Sequence, residues 1–231
     1  PWVLLVLLGL AAMVTLLIPH PHVPAVEEGA DPHLLSRPGV RWFLLAGVLM
    51  QFSHSGYYGF FSLHLEANGF SPTAIGGLWT LGVAAEVLVM ARSARLLQTL
   101  GVSALLWGSL ALAALRWGIF ASTLWLPLLL LGQVLHAFTF AAFHVGAVRR
   151  NHDIAAPGQR AAAQAWYSAL SFGIGGGVGG VVSGLLYDAL GAGAVYGCMS
   201  VAAALGVLAS RRGCRHLAGE SARRTAAEDH P

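Results

Sequence analysis

The sequence predicts an all-α, polytopic membrane protein. Three observations carry that reading: 56% of the 231 residues are apolar, only 10% are charged, and the apolar residues gather into runs long enough to cross a bilayer. A soluble domain carries about 25% charged residues. With a mean hydropathy of +0.68, most of this surface must face lipid.

A bilayer core about 30 Å thick needs about 20 apolar residues per helix. The runs are 2–18, 42–65, 73–97, 102–120, 124–148, 161–187 and 192–210. The first is short at its visible start. The chain opens on Pro1-Trp-Val-Leu-Leu, already inside an apolar run and without Met, and neither a basic n-region nor a small-residue cleavage site marks a signal peptide. It is therefore expected to be the C-terminal portion of a longer protein. Residues 1–18 would close an N-terminal half, 19–41 would be a linker, 42–210 a six-helix bundle and 211–231 a short polar tail.

The linker runs from Pro19-His-Pro-His-Val-Pro to Pro38-Gly39. Proline fixes φ and removes a backbone donor, so this stretch reads as a loop, and its His20, His22 and His33 as solvated. Charge then orients the chain. On one side lie Arg37, Arg41, Arg92, Arg95, Arg149, Arg150, Arg160, Arg211, Arg212, Arg215, Arg223 and Arg224; on the other there is only Arg116, at or within a helix end. By the positive-inside rule the linker and the C-terminus are cytoplasmic. The tail adds topology and some attraction to anionic lipid.

The net charge of +3, spread over dispersed arginines, excludes a nucleic-acid protein. There is no lysine, which reads as compositional bias beside the heavy use of Ala, Gly and Leu. Cys198 and Cys214 are expected to be free thiols.

Polar residues inside the spans are the functional candidates, because ionisable groups there are costly unless paired or wetted. In the second run, Gln51, His54, Tyr58 and Phe61 share a helical face, with Tyr57 and Ser62 flanking it. Glu86 is the only carboxylate deep within a span, and a desolvated carboxyl is a candidate proton carrier. A fixed ion pair with Arg116 is the structural alternative. In the fifth run Gln133, His136, Phe140 and His144 share a face. No His-x-x-x-His pair or acid-bearing ligand motif supports haem or metal; no cofactor is expected. The sixth run carries Gln164, Ser168, Ser171, Gly175 and Gly179 on one stripe, beside Trp166 and Tyr167. Its Gly-x-x-x-Gly pairs (Gly173/Gly177, Gly175/Gly179, Gly176/Gly180 and Gly180/Gly184) are first of all packing surfaces, which would also let helices rock.

Four segments carry a family resemblance: Ser53-His-Ser-Gly-Tyr-Tyr-Gly-Phe-Phe-Ser62, Gly76-Gly-Leu-Trp-Thr-Leu-Gly-Val-Ala-Ala-Glu86, Leu135-His-Ala-Phe-Thr-Phe-Ala-Ala-Phe-His144 and Ala163-Gln-Ala-Trp-Tyr-Ser-Ala-Leu-Ser-Phe-Gly-Ile-Gly-Gly. From about residue 40 to 210 the chain resembles the C-terminal half of the 3-phenylpropionate permease-like transporters of the major facilitator superfamily. The resemblance implies twelve helices in two halves, of which helices six to twelve are present and one to five are missing. It implies a secondary transporter rather than an enzyme, working by proton-coupled symport of a small aromatic acid in the cell (inner) membrane. Proton coupling would fall to Glu86, His54, His136 and Arg116, and substrate contact to Gln51, Tyr58, Trp79, Gln133, Phe140 and Gln164. In the related lactose permease-type symporters a carboxylate follows the histidine on helix ten; this chain lacks it, which makes His54 or Glu86 the carrier. Arg92 and Arg95, in a degenerate basic loop, would gate the cytoplasmic side or only orient the chain. A seven-helix receptor and a membrane-embedded metalloenzyme are the alternatives. The lack of lysine excludes a retinal Schiff base.

Overall fold

The structure, a computed structural model, describes residues 33–228 together with Gly9, Leu10, Met13, Val14 and Leu17. The first predicted span and most of the linker lie outside the described residues. Six long helices follow: α1 Pro38–Ala67, α2 Pro72–Ala91, α3 Ser93–Ser122, α4 Leu126–Ile154, α5 Arg160–Leu190 and α6 Ala192–Glu228. Among the described residues there is no strand. Five of the helices, α2 to α6, are long and apolar enough to cross a membrane. At 30 residues α1 is as long as most of them. Its polar run from Gln51 to Ser55 lowers its hydropathy, and most of those polar side chains are turned inward.

Local chemistry sets the boundaries. Pro38 and Pro72 open α1 and α2, where a missing N–H costs nothing. Ser71 caps α2 by accepting from the Ala74 amide at 3.2 Å. The predicted run 73–97 ends early, at Ala91, because Arg92 takes a non-helical conformation there. Residues 93–100 begin α3 instead, and Gly101 interrupts that helix with φ 74° and ψ 160°, a conformation that only glycine adopts without strain. At the other end of the chain, α6 passes position 210 without a break. Its extension is docked: Leu217 is buried against Gly39, and Arg37 donates to Glu220 Oε2 from Nε and Nη2 at 2.9 and 2.7 Å. Arg37 Nη1 also donates to the Ile154 carbonyl at 3.2 Å, so α1, α4 and α6 meet at this end.

The central helix α1 packs against α5 and α6, α3 against α4 and α6, and α2 chiefly against α4. Glycine permits the closest crossing. A Cβ on Gly175 would stand 2.5 Å from the Val48 carbonyl oxygen, and one on Gly179 2.8 Å from that of Phe52. Of the overlapping glycine pairs in α5, this one carries the contact with α1. Gly173, Gly176, Gly177 and Gly180 meet nothing within 4 Å. Two π-helical stretches, Ala137–Ala142 in α4 and Ala169–Gly176 in α5, insert a wider turn in mid-helix. Such stretches gather at functional sites.

The crossing gives a direct expectation. Gly175→Leu and Gly179→Leu should each lower stability by about 1–3 kcal/mol or more, the cost of overpacking, whereas Gly180→Leu should leave the thermal midpoint in detergent unchanged.

Candidate functional site

The site begins with Arg116 on α3. Its side chain is fully buried, and its charge rests in a neutral cage. The guanidinium carbon sits 4.3 Å from the ring centre of Tyr57 and 4.2 Å from that of Trp117, distances at which the ring quadrupole attracts a cation. Nε donates to the Gly132 carbonyl at 2.6 Å. Nη1 lies 3.2 Å from His136 Nδ1.

That last contact assigns the histidine. Arginine has donors only, so Nδ1 of His136 must accept, and the ring proton lies on Nε2. Nε2 faces Glu86 on α2, whose Oε2 is 3.6 Å away. The gap is longer than a hydrogen bond, and the acid faces the N–H of a neutral ring. Arg116, His136 and Glu86 thus form a chain in which the imidazole separates cation from acid. Glu86 does not make the direct pair with Arg116 that spacing alone left open.

His54 on α1 packs beside this chain, its ring centre 6.0 Å from that of His136. Its Nδ1 donates to the Met50 carbonyl at 2.9 Å, which leaves Nε2 as an acceptor. Thr139, within the π-helical stretch of α4, has its hydroxyl 3.4 Å from that nitrogen. The Trp117 ring meets His54 edge-on at 5.0 Å.

Gln133 is buried one turn before His136 and accepts from the Tyr57 hydroxyl at 2.8 Å. Gly82 of α2 lets it fit: a Cβ there would stand 3.0 Å from Gln133 Oε1. Trp79 packs at a tilt on Tyr57, ring centres 4.6 Å apart, and donates to the Ser62 hydroxyl at 2.9 Å. Phe140 stacks on His136 at 5.5 Å. Tyr58 is 49% exposed and Glu86 keeps 20% of its side chain accessible. Tyr58, Trp79, Glu86 and Phe140 therefore form the accessible rim, with the cation and both histidines behind it.

The structure brings together Glu86, His54, His136, Arg116, Tyr58, Trp79, Gln133 and Phe140. Gln51 is buried one turn before His54 without joining the polar chain. Gln164 lies elsewhere, accepting from Asn151 at 3.1 Å, about 22 Å along α4 from His136 at 1.5 Å per residue. Arg92 and Arg95 stand exposed at the α2–α3 junction, beside an open concavity. The most buried face of α1 carries Met50, His54, Tyr57 and Phe61, so Tyr57 is the residue that touches the cation. Sequence reasoning placed it on the flank, and missed Trp117 and Thr139 altogether. The i, i+3 spacing of His54 and Tyr57 was the available signal.

Fold and site define a polytopic helical membrane protein in which a buried arginine is linked through a histidine to an acid at an accessible rim. Within that class the chain belongs to the MFS_1 like family, whose sequence signature matches residues 3–198. It is also 37% identical over 154 residues to the Probable 3-phenylpropionic acid transporter of Escherichia coli (strain K12). The match covers 66% of this chain and 40% of that protein; the chain spans well under two thirds of its relative's length. The family resemblance of the four segments is borne out. No solved structure matches the chain.

Loss of the Tyr57 hydroxyl would leave the buried Gln133 oxygen without its donor, at about 1–3 kcal/mol. Tyr57→Phe should therefore lower the thermal midpoint clearly. Trp79→Phe, which frees only the half-buried Ser62 hydroxyl, should lower it less.

Proposed function

We propose that this chain is the C-terminal half of a secondary active transporter that couples proton movement to symport of a small organic solute, such as a 3-phenylpropionate-like aromatic acid. The observation that carries the reading is the Arg116–His136–Glu86 chain, its cation buried and its acidic end at an accessible rim. The curated relative's name supports the substrate class.

In this reading Glu86 is the coupling acid. When ionised it is drawn toward the Nε2–H of His136, and through that ring toward the Arg116 cation. When protonated it loses that attraction, and α2, which packs chiefly on α4, is freer to move. A proton thus shifts the balance between inward- and outward-open arrangements as two halves rock about a midplane site. Tyr58, Trp79 and Phe140 wall the aromatic solute, and Arg116 is the counter-ion toward which its carboxylate is drawn. Arg92 and Arg95 stand on the cytoplasmic side, where the arginine-rich helix ends belong by the positive-inside rule, and the membrane is the cell (inner) membrane. The first half, with helices one to five, completes the transport path; the present chain alone would not transport.

The test is uptake of labelled 3-phenylpropionate by the full-length parent protein in proteoliposomes. With an inward proton gradient, wild type should accumulate solute; Glu86→Gln should lose accumulation and retain solute exchange. Uptake indifferent to both gradient and substitution would overturn the coupling assignment, and absence of uptake would overturn the substrate.

A further inference from the structure

On the side of α3 turned away from Arg116, an apolar groove runs between α3 and α4. It has a volume of about 440 Å³ and is lined along α3 by Leu100, Ala104, Trp107 and Leu115 and on α4 by Phe138 and Ala142. Phe138 lies two residues from both His136 and Phe140, so it points about half a turn away from the site.

A cation stands beside it. Arg211 of α6 lies over the Trp107 ring with its guanidinium carbon 5.5 Å from the ring centre. It is exposed and has no acidic partner among the described residues. From Ala104, beyond the break at Gly101, to Leu115 the groove follows α3 for about 16 Å at 1.5 Å per residue. One leaflet of a hydrocarbon core about 30 Å thick is about 15 Å deep, so the groove can take a whole acyl chain.

We propose that this groove is a binding site for one anionic phospholipid: the phosphate meets Arg211, and an acyl chain runs from there along Trp107, Ala111, Leu115 and Phe138. The argument is charge complementarity at a groove otherwise apolar. A neutral lipid would solvate the groove but leave the Arg211 guanidinium with no counter-charge. The site is independent of the transport reading and needs only that α3 and α4 span the bilayer.

Gly108 offers a clean obstruction, since it lines the groove and a Cβ on it meets nothing within 4 Å. The experiment uses the 231-residue chain in nanodiscs of phosphatidylcholine doped with phosphatidylglycerol or phosphatidylcholine bearing a brominated chain, which quenches nearby tryptophan. The Trp107 signal is the difference between the protein and its Trp107→Phe variant, and circular dichroism verifies that each variant is helical. At low mole fraction, brominated phosphatidylglycerol should quench Trp107 with about fivefold preference over brominated phosphatidylcholine, the factor that one arginine near an anionic surface supplies. Arg211→Gln should remove the preference while leaving ordinary quenching, and Gly108→Leu should weaken quenching by both lipids. Equal quenching by the two lipids in the unsubstituted protein would overturn the proposal, reducing the groove to ordinary lipid contact. A Trp107 that no brominated lipid reaches would overturn it too, since the groove would then be covered by a second copy of the chain.

Discussion

Everything near the centre of this bundle depends on one constraint: a guanidinium, Arg116, is held fully out of water inside a membrane-spanning helix. Removing a charge from water costs several kcal/mol even after relaxation, and among the described residues no carboxylate touches it directly. Its compensation comes from neutral groups: two aromatic faces, the Gly132 carbonyl and the accepting nitrogen of His136. Each contact is worth about 0.5–3 kcal/mol, so several must act together to hold the charge, even though the buried Nη2 has no hydrogen-bond partner among the described residues. That requirement fixes Tyr57, Trp117 and His136 in place and, through them, the packing of α1, α3 and α4.

The acid is kept at a distance by the same arrangement. A direct Arg116–Glu86 pair would neutralise both charges and lock α2 to α3. Interposing the His136 ring leaves Glu86 attracted without being captured, at 3.6 Å rather than hydrogen-bonding distance. The acid can then respond to a proton or to water while the cation stays fixed. Small residues make the geometry reachable, Gly82 beside Gln133 and Gly175 with Gly179 against the α1 backbone. The result is a rigid cationic interior with a titratable rim.

Much of this architecture was legible in the sequence. Hydropathy marked the helices because a bilayer imposes a length of apolar chain that few other constraints imitate. Glu86, His54 and His136 stood out because ionisable residues in mid-span are rare. The misses have equally physical causes. Periodicity alone could not fix the rotation of α1, so Tyr57 was placed on the flank although it touches the cation. Arg116 read as a helix-end residue because nothing local signals a cage assembled from three helices. Gln164 shared a stripe with packing glycines, yet its partner Asn151 sits at the α4–α5 corner. The continuation of α6 past position 210 was hidden by its polar composition, since its docking depends on Leu217 and Glu220 meeting the start of α1.

The central claim is that His136 is the neutral bridge between cation and acid, and nitrogen NMR of the histidine-labelled protein in lipid tests it most directly. With His136 assigned by its own substitution, the account predicts at pH 7 one protonated nitrogen, Nε2, and an unprotonated Nδ1 that shifts when Arg116 is replaced by Gln. A His136 ring carrying the proton on Nδ1, or protons on both nitrogens, would contradict it, because neither form can accept from Arg116.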